Sequence, residues 1–266
     1  MTARPNPEDV TAQLRRTLSV FAAELPQPPT VFEGGSTVRG WANQHSDLDL
    51  YAILPQVHEP ADGLFTTIPC GAADGYFYRR TLEEGDAKGD LQVWRETQVE
   101  ALLSAMDLTE VHENRAVGVS LTNYEVDFLG RLWHGRAVSS PDGVAEWQRR
   151  LHASDARQVM ADRSLRLADN ALEDAVGQLE TGDTRSATLA AQRAHGHAVD
   201  AALAVCGEFS ASSKWRARRV EEARPAPFTF DEYWAVETMR DYHEDPVAWI
   251  EDVLASCQTI AASIEL

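Results

Sequence analysis

The sequence predicts an α/β (α+β) domain followed by an all-α domain, and three observations carry that prediction. Short alternating or β-branched runs at 30–32, 48–54, 76–80 and 91–94 read as strands, and all of them lie in the first part of the chain. From about residue 145 the composition turns to Ala, Arg, Glu and Leu with few β-branched runs, which is helical material. The 266 residues, 44% of them apolar, suffice for one large or two modest cores. The expected domains are therefore 1–143, a sheet with helices, and 144–266, a helical bundle.

In chain order, Pro5 to Asp9 start a helix whose apolar positions are Val10, Leu14, Leu18 and Phe21, ending before Pro26, Pro28 and Pro29. A strand over 30–32 runs into Gly34-Gly35-Ser36, and 37–43 form a helical turn. Leu48, Leu50, Ala52 and Leu54 alternate with Asp47 and Asp49 as a strand that Pro55 closes. The strands at 76–80 and 91–94 form a hairpin around a turn at 83–89. Thr97 with Glu100 marks a capping box, and 124–133 make a helix that stops at Gly135. Further helices are expected over 153–179, 184–206, 212–223, 234–242 and 246–264.

Composition excludes several classes of function. The chain carries 24 Lys and Arg against 42 Asp and Glu, a formal charge of −18, which opposes broad nucleic-acid binding. Such acidity keeps a protein soluble, and it also suits a cationic substrate or an anionic one escorted by metal ions. Three scattered cysteines, Cys70, Cys206 and Cys257, form no CxxC pair, so neither a disulfide framework nor a structural zinc site is expected. With no signal-like N-terminus and no run near the roughly 18 apolar residues of a membrane span, the expected location is the cytoplasm.

The chemistry is concentrated in Phe32-Glu33-Gly34-Gly35-Ser36-Thr37-Val38-Arg39-Gly40, followed by Ser46-Asp47-Leu48-Asp49-Leu50. A strand enters a small-residue turn where glycine permits close backbone approach to a ligand. Successive amides at such a turn form an anion nest. Eleven residues beyond Ser36 two carboxylates stand at i and i+2 of a strand, which places Asp47 and Asp49 on one face. Two like charges on one face repel, and a hard divalent cation resolves the conflict.

Gly35-Ser36, Arg39-Gly40 and Ser46-Asp47-Leu48-Asp49-Leu50 together resemble the signature of the polymerase-β-like nucleotidyltransferase superfamily. The bacterial aminoglycoside-type and minimal nucleotidyltransferases are the most similar groups. The motif resemblance spans about 30–54. It implies a mixed sheet with flanking helices, Mg²⁺ (two ions) as cofactor, and ATP or another nucleoside triphosphate as co-substrate. By the same resemblance Gly35 and Ser36 hold the β- and γ-phosphates, Asp47 and Asp49 bind metal, and Arg39 stands near phosphate. A third carboxylate belongs on a later strand; Asp90 is the candidate, Gln92 shares its face, and Glu96 is the reserve choice. Lys214, in the cationic run 214–219, is the expected nucleotide contact from the helical domain.

The implied activity is transfer of a nucleoside monophosphate, AMP from ATP, to a hydroxyl of a small molecule with release of pyrophosphate. A cationic antibiotic suits the acidic balance as acceptor. Alternatives are a protein adenylyltransferase of the minimal antitoxin type and a non-catalytic nucleotide binder. The expected assembly is a monomer or homodimer. Asp127 reads as structural, and His195 and His197, two apart on a helix, do not share a face for a joint metal site.

Overall fold

The structure is a computed structural model that describes residues 29–60, 63–84, 87–108 and 121–265. The helix expected at 5–21 lies outside the described residues. The chain divides into two compact units, one holding 29–107 and 121–154 and the other holding 108 and 155–265. The division falls after Ser154, so a helix at Pro141–His152, which the sequence pattern did not mark and a boundary at 143/144 would cut, goes whole with the sheet. Pro141 suits the first position of a helix, but Gly143 two residues on weakens the helical pattern there.

In the first unit the elements run β1 (Thr30–Gly34), β2 (Leu48–Leu54), β3 (Thr66–Pro69), β4 (Tyr76–Glu84), β5 (Ala87–Arg95), α1 (Glu96–Ser104), α2 (Asn123–His134), β6 (Arg136–Ser139) and α3 (Pro141–His152). Among the described residues six strands form one mixed sheet in the order β3-β4-β5-β2-β1-β6. Only the β2–β5 pair is parallel. Alternation along β2 separates two faces. Leu50, Ala52 and Leu54 join Val31, Tyr78, Leu91 and Val93 in one apolar cluster. Tyr51 and Ile53 turn to the other face, where Phe32, Phe77, Trp94 and Phe128 bury their rings. Phe77 stacks on Trp94 at 4.2 Å, and Trp94 meets Phe128 of α2 at 4.5 Å, so α2 is pinned across this face.

Three expectations change in detail. The 76–94 hairpin has longer strands than expected, reaching Glu84 on one side and starting at Ala87 on the other. Helix α1 starts at Glu96, before Thr97, because Gln98 Oε1 accepts from the Arg95 amide at 3.0 Å and closes the first turn earlier. Helix α2 runs one residue further at each end than the expected 124–133: Thr122 caps it, and Glu125 accepts from the Thr122 amide and hydroxyl at 2.7 and 2.8 Å.

The second unit consists of α4 (Ala156–Glu180), α5 (Thr184–Val205), a 3₁₀ turn (Ser213–Trp215), α6 (Arg216–Ala223), α7 (Phe230–Glu237) and α8 (Pro246–Ala262). Alanines at 168, 171 and 175 of α4 meet those at 187, 191, 194 and 198 of α5, and such small side chains let the two helices close on one another. Trp249, Ile250, Val253 and Ile260 of α8 cover the same core. Helix α7 starts and ends earlier than the expected 234–242. A Thr229–Glu232 capping box sets its beginning, and positive φ at Met239 and Asp241 prevents its continuation. No helix of the described residues is long and apolar enough to cross a membrane.

Candidate functional site

The sheet register brings the motif residues together. Gly34, Asp49, Asp90 and Thr81 stand side by side across β1, β2, β5 and β4. Asp90, not Gln92, is therefore the acid opposite Asp49, on a neighbouring strand about 4.8 Å away. Gln92 is buried opposite Tyr51, and its carboxamide oxygen accepts from the Trp94 indole at 3.2 Å. Glu96, the reserve acid, opens α1 at the far end of β5, roughly 20 Å along the strand from Asp90, and is no part of this row.

Asp47 and Asp49 differ in setting. Asp47 is exposed and immediately precedes β2, while Asp49 is half-buried within it. The Ser46 hydroxyl accepts from the Asn43 amide at 2.9 Å and fixes the turn that delivers Asp47. Burial pushes the Asp49 carboxyl above the ordinary aspartate value; Arg131 opposes that shift, and the charges of Asp90, Asp47 and Asp127 add to it. Those same contributions show that Asp47, Asp90 and Asp127 all act on Asp49, so Asp127, read from sequence as structural, belongs to this acidic neighbourhood.

The bend after β1 is shaped to receive Asp49. Gly35 has φ +79°, and a Cβ on it would lie 2.1 Å from Asp49 Oδ2. The chain then winds through 35–42: Arg39 N donates to Gly35 O at 3.3 Å, and Trp41 N and Ala42 N both donate to Ser36 O, at 2.9 and 3.1 Å. The Thr37 hydroxyl closes on Gly34 O at 3.2 Å. Arg39 packs its guanidinium 4.3 Å from the centre of the Trp41 ring. Gly35, Ser36 and Arg39 thus form one bend whose first residue touches a site carboxylate.

Two cations that sequence reasoning missed sit in this region. Arg79 of β4 ion-pairs with Asp90 through both Nε and Nη2, and Thr81 Oγ1 reaches the other carboxylate oxygen at 3.4 Å. The buried stem of Arg131 of α2 passes beside Gly34, and its positive charge bears on Asp49, Asp127 and Tyr51. Neither follows a motif; only the antiparallel β4–β5 register and the packing of α2 reveal them. Among the described residues no group of three or more His, Cys, Asp or Glu side chains is arranged to hold a metal alone.

In the second unit, Lys214 is exposed, its ammonium 5.4 Å from the centre of the Trp215 ring. Of the other cations in that run, Arg218 is exposed and two are engaged within the bundle. Arg216 and Arg219 both pair with Asp200, and Arg216 also reaches Glu237 at 3.4 Å. His195 is buried against Tyr233, while His197 is only half-buried.

No protein-family model matches this chain, and no curated protein matches it. Among solved structures it is similar to a nucleotidyltransferase-like protein from Exiguobacterium sibiricum 255-15, with a TM-score of 0.50 and 14% identity over 96% of this chain and 75% of that one. At that identity the likeness is one of architecture: the mixed six-stranded sheet with flanking helices, followed by a helical region, is a nucleotidyltransferase-like fold.

Proposed function

We propose that this chain is a metal-dependent nucleotidyltransferase that moves a nucleoside monophosphate, AMP from ATP, onto a hydroxyl of a small molecule. The observation that carries the reading is the Asp49 carboxylate packed against the Gly35 bend, in register with Asp90 and repelled by Asp47.

The residues fit Mg²⁺ of a particular kind. The donors are hard carboxylate oxygens, and their mutual repulsion calls for a cation. They form no protein-only cage, and Mg²⁺ commonly binds through one or two carboxylates completed by substrate phosphates and water. Asp47 and Asp49 would hold it, with Asp90 as third acid once its oxygens are shared with Arg79. When bound, the metal would neutralise triphosphate charge and stabilise the attacking and leaving oxygens.

The chain's own residues would do the positioning. The Gly35-Ser36 bend would receive the β- and γ-phosphates, with Arg39 beside them. The acceptor oxygen forms a bond to the α-phosphorus while the bond to the β-phosphate oxygen breaks. Pyrophosphate departs, and the hydroxyl proton passes to a carboxylate, for which Asp90 is the candidate. The acidic site favours a cationic acceptor, of which a cationic antibiotic is one kind.

The test is pyrophosphate release from Mg·ATP across a panel of hydroxylated cationic acceptors, with Asp47→Asn and Asp49→Asn as controls. Release that survives both substitutions would reject the site. The Arg79–Asp90 pair favours a second reading, nucleotide binding without transfer, because it occupies the third acid. Calorimetry showing Mg·ATP binding with no pyrophosphate from any acceptor selects that reading, and label from ATP appearing on a protein band selects a protein acceptor.

A further inference from the structure

The three acids of the site keep different company. Among the described residues no arginine or lysine is bonded to Asp47 or Asp49, whereas Asp90 has one. Arg79 donates Nε to Asp90 Oδ2 at 3.1 Å and sets Nη2 on the same oxygen. Thr81, which stands directly opposite Asp90, reaches Oδ1 only at 3.4 Å. The arginine thus grips one carboxylate oxygen and leaves the other nearly free.

The direction of that grip is not set by the strand register alone. Arg79 stands opposite Gln92, whose carboxamide oxygen is turned to the Trp94 indole at 3.2 Å. The guanidinium crosses diagonally to Asp90, toward the row where Asp49 meets the Gly35 bend. Asp47, Asp49 and Asp90 bring three negative charges to that row and its edge. Arg79 stays charged at any working pH and cancels one of them. The two that remain, on Asp47 and Asp49, match one divalent cation. A second ion on Asp90 would have to displace a guanidinium already in place.

We propose that Arg79 stands in for a second divalent cation: it fixes Asp90 through Oδ2, so that the site takes a single ion, on Asp47 and Asp49, where the family resemblance implies two. This rests on the metal–nucleotide reading of the site. Arg79 is a positioning residue that acts through Asp90, whose Oδ1 stays available to the proton of an acceptor hydroxyl.

The experiment counts Mn²⁺ bound per full chain by electron paramagnetic resonance, at a saturating concentration of an ATP analogue that cannot be cleaved between the α- and β-phosphates. The proteins are wild type, Arg79→Gln, Arg79→Lys, Arg79→Gln/Asp90→Asn and Asp49→Asn, each checked by thermal unfolding. An ion pair this exposed adds little stability, so the position-79 variants are expected to fold. The wild type is expected to bind one ion and Arg79→Gln two. Arg79→Lys is expected to bind one, because the charge remains, and the double variant one, because the second ion has lost its carboxylate. Two ions on the wild type, on Arg79→Lys or on the double variant, or one on Arg79→Gln, overturns the stand-in role alone. No ion bound by the wild type, or Asp49→Asn binding like wild type, overturns the site reading beneath it.

Discussion

The carboxylate of Asp49 occupies the space that a side chain at position 35 would need: a Cβ on Gly35 would come within 2.1 Å of Asp49 Oδ2, at a backbone φ of +79°. Glycine is required twice over, for the left-handed backbone and for the contact. Gly35→Ala is therefore expected to cost about 1–3 kcal/mol of stability from backbone strain. It should also displace Asp49 and weaken Mn²⁺·ATP binding. Chemical unfolding and calorimetry on one preparation check both, and retained affinity would show that the contact does not set the carboxylate.

Asp49→Asn should stabilise the fold while removing function. Burial and neighbouring acids raise the Asp49 pKa, so its ionised form burdens the folded state. That burden is present above the raised folded value and fades as pH falls through it, because the folded chain then takes up a proton more readily than the unfolded one. Asn removes the charge, and a gain on the order of 1 kcal/mol is expected at neutral pH, shrinking in acid. For the same reason Mn²⁺·ATP binding by the wild type should weaken on acidification at a higher pH than an ordinary aspartate would give. Urea midpoints and binding titrations between pH 4 and pH 8, in the range where carboxylates titrate, read out the two trends.

Asp200→Ala should damage the helical unit alone. Asp200 serves two guanidinium groups whose side chains are only 13% and 4% exposed, those of Arg216 and Arg219. Removing one partner of a buried pair leaves uncompensated charge, and a loss of about 3–5 kcal/mol is expected. Urea unfolding followed by tryptophan fluorescence measures it, and a loss below 1 kcal/mol would mean the arginines find other partners.

His195 should make the bundle sensitive to mild acid. Burial, with a contribution from Arg216, lowers its pKa from 6.5 to about 4. Between those values the unfolded chain binds a proton that the folded chain refuses. Stability is therefore whole above pH 6.5 and declines as pH falls toward about 4. His195→Phe should flatten that decline in urea midpoints, and an unaltered slope in the variant would assign the acid sensitivity elsewhere.

What the sequence displayed and what it hid divide along physical lines. Gly35 and Asp49 lie 14 residues apart in one hairpin, and the small-residue turn plus period-two acids mark them locally. Asp90 was reachable because it sits on a strongly patterned strand, though only the parallel β2–β5 register favours it over Gln92. Arg131 and Asp127 were not legible, since nothing in a helix at Asn123–His134 says which strand end it will cross. Arg79 was hidden likewise: on β4 it stands opposite Gln92 and reaches Asp90 diagonally. Strands β3 and β6 are four residues each with little burial, too short and too exposed to leave a clear alternation.

The most direct measurement is calorimetric titration of ATP into the full chain with and without Mg²⁺, for wild type, Asp47→Asn and Asp49→Asn. Binding that requires Mg²⁺ and is lost in both variants is the result predicted. ATP binding of equal strength without Mg²⁺, or in the Asp49→Asn protein, would contradict a metal–nucleotide site built on these two aspartates.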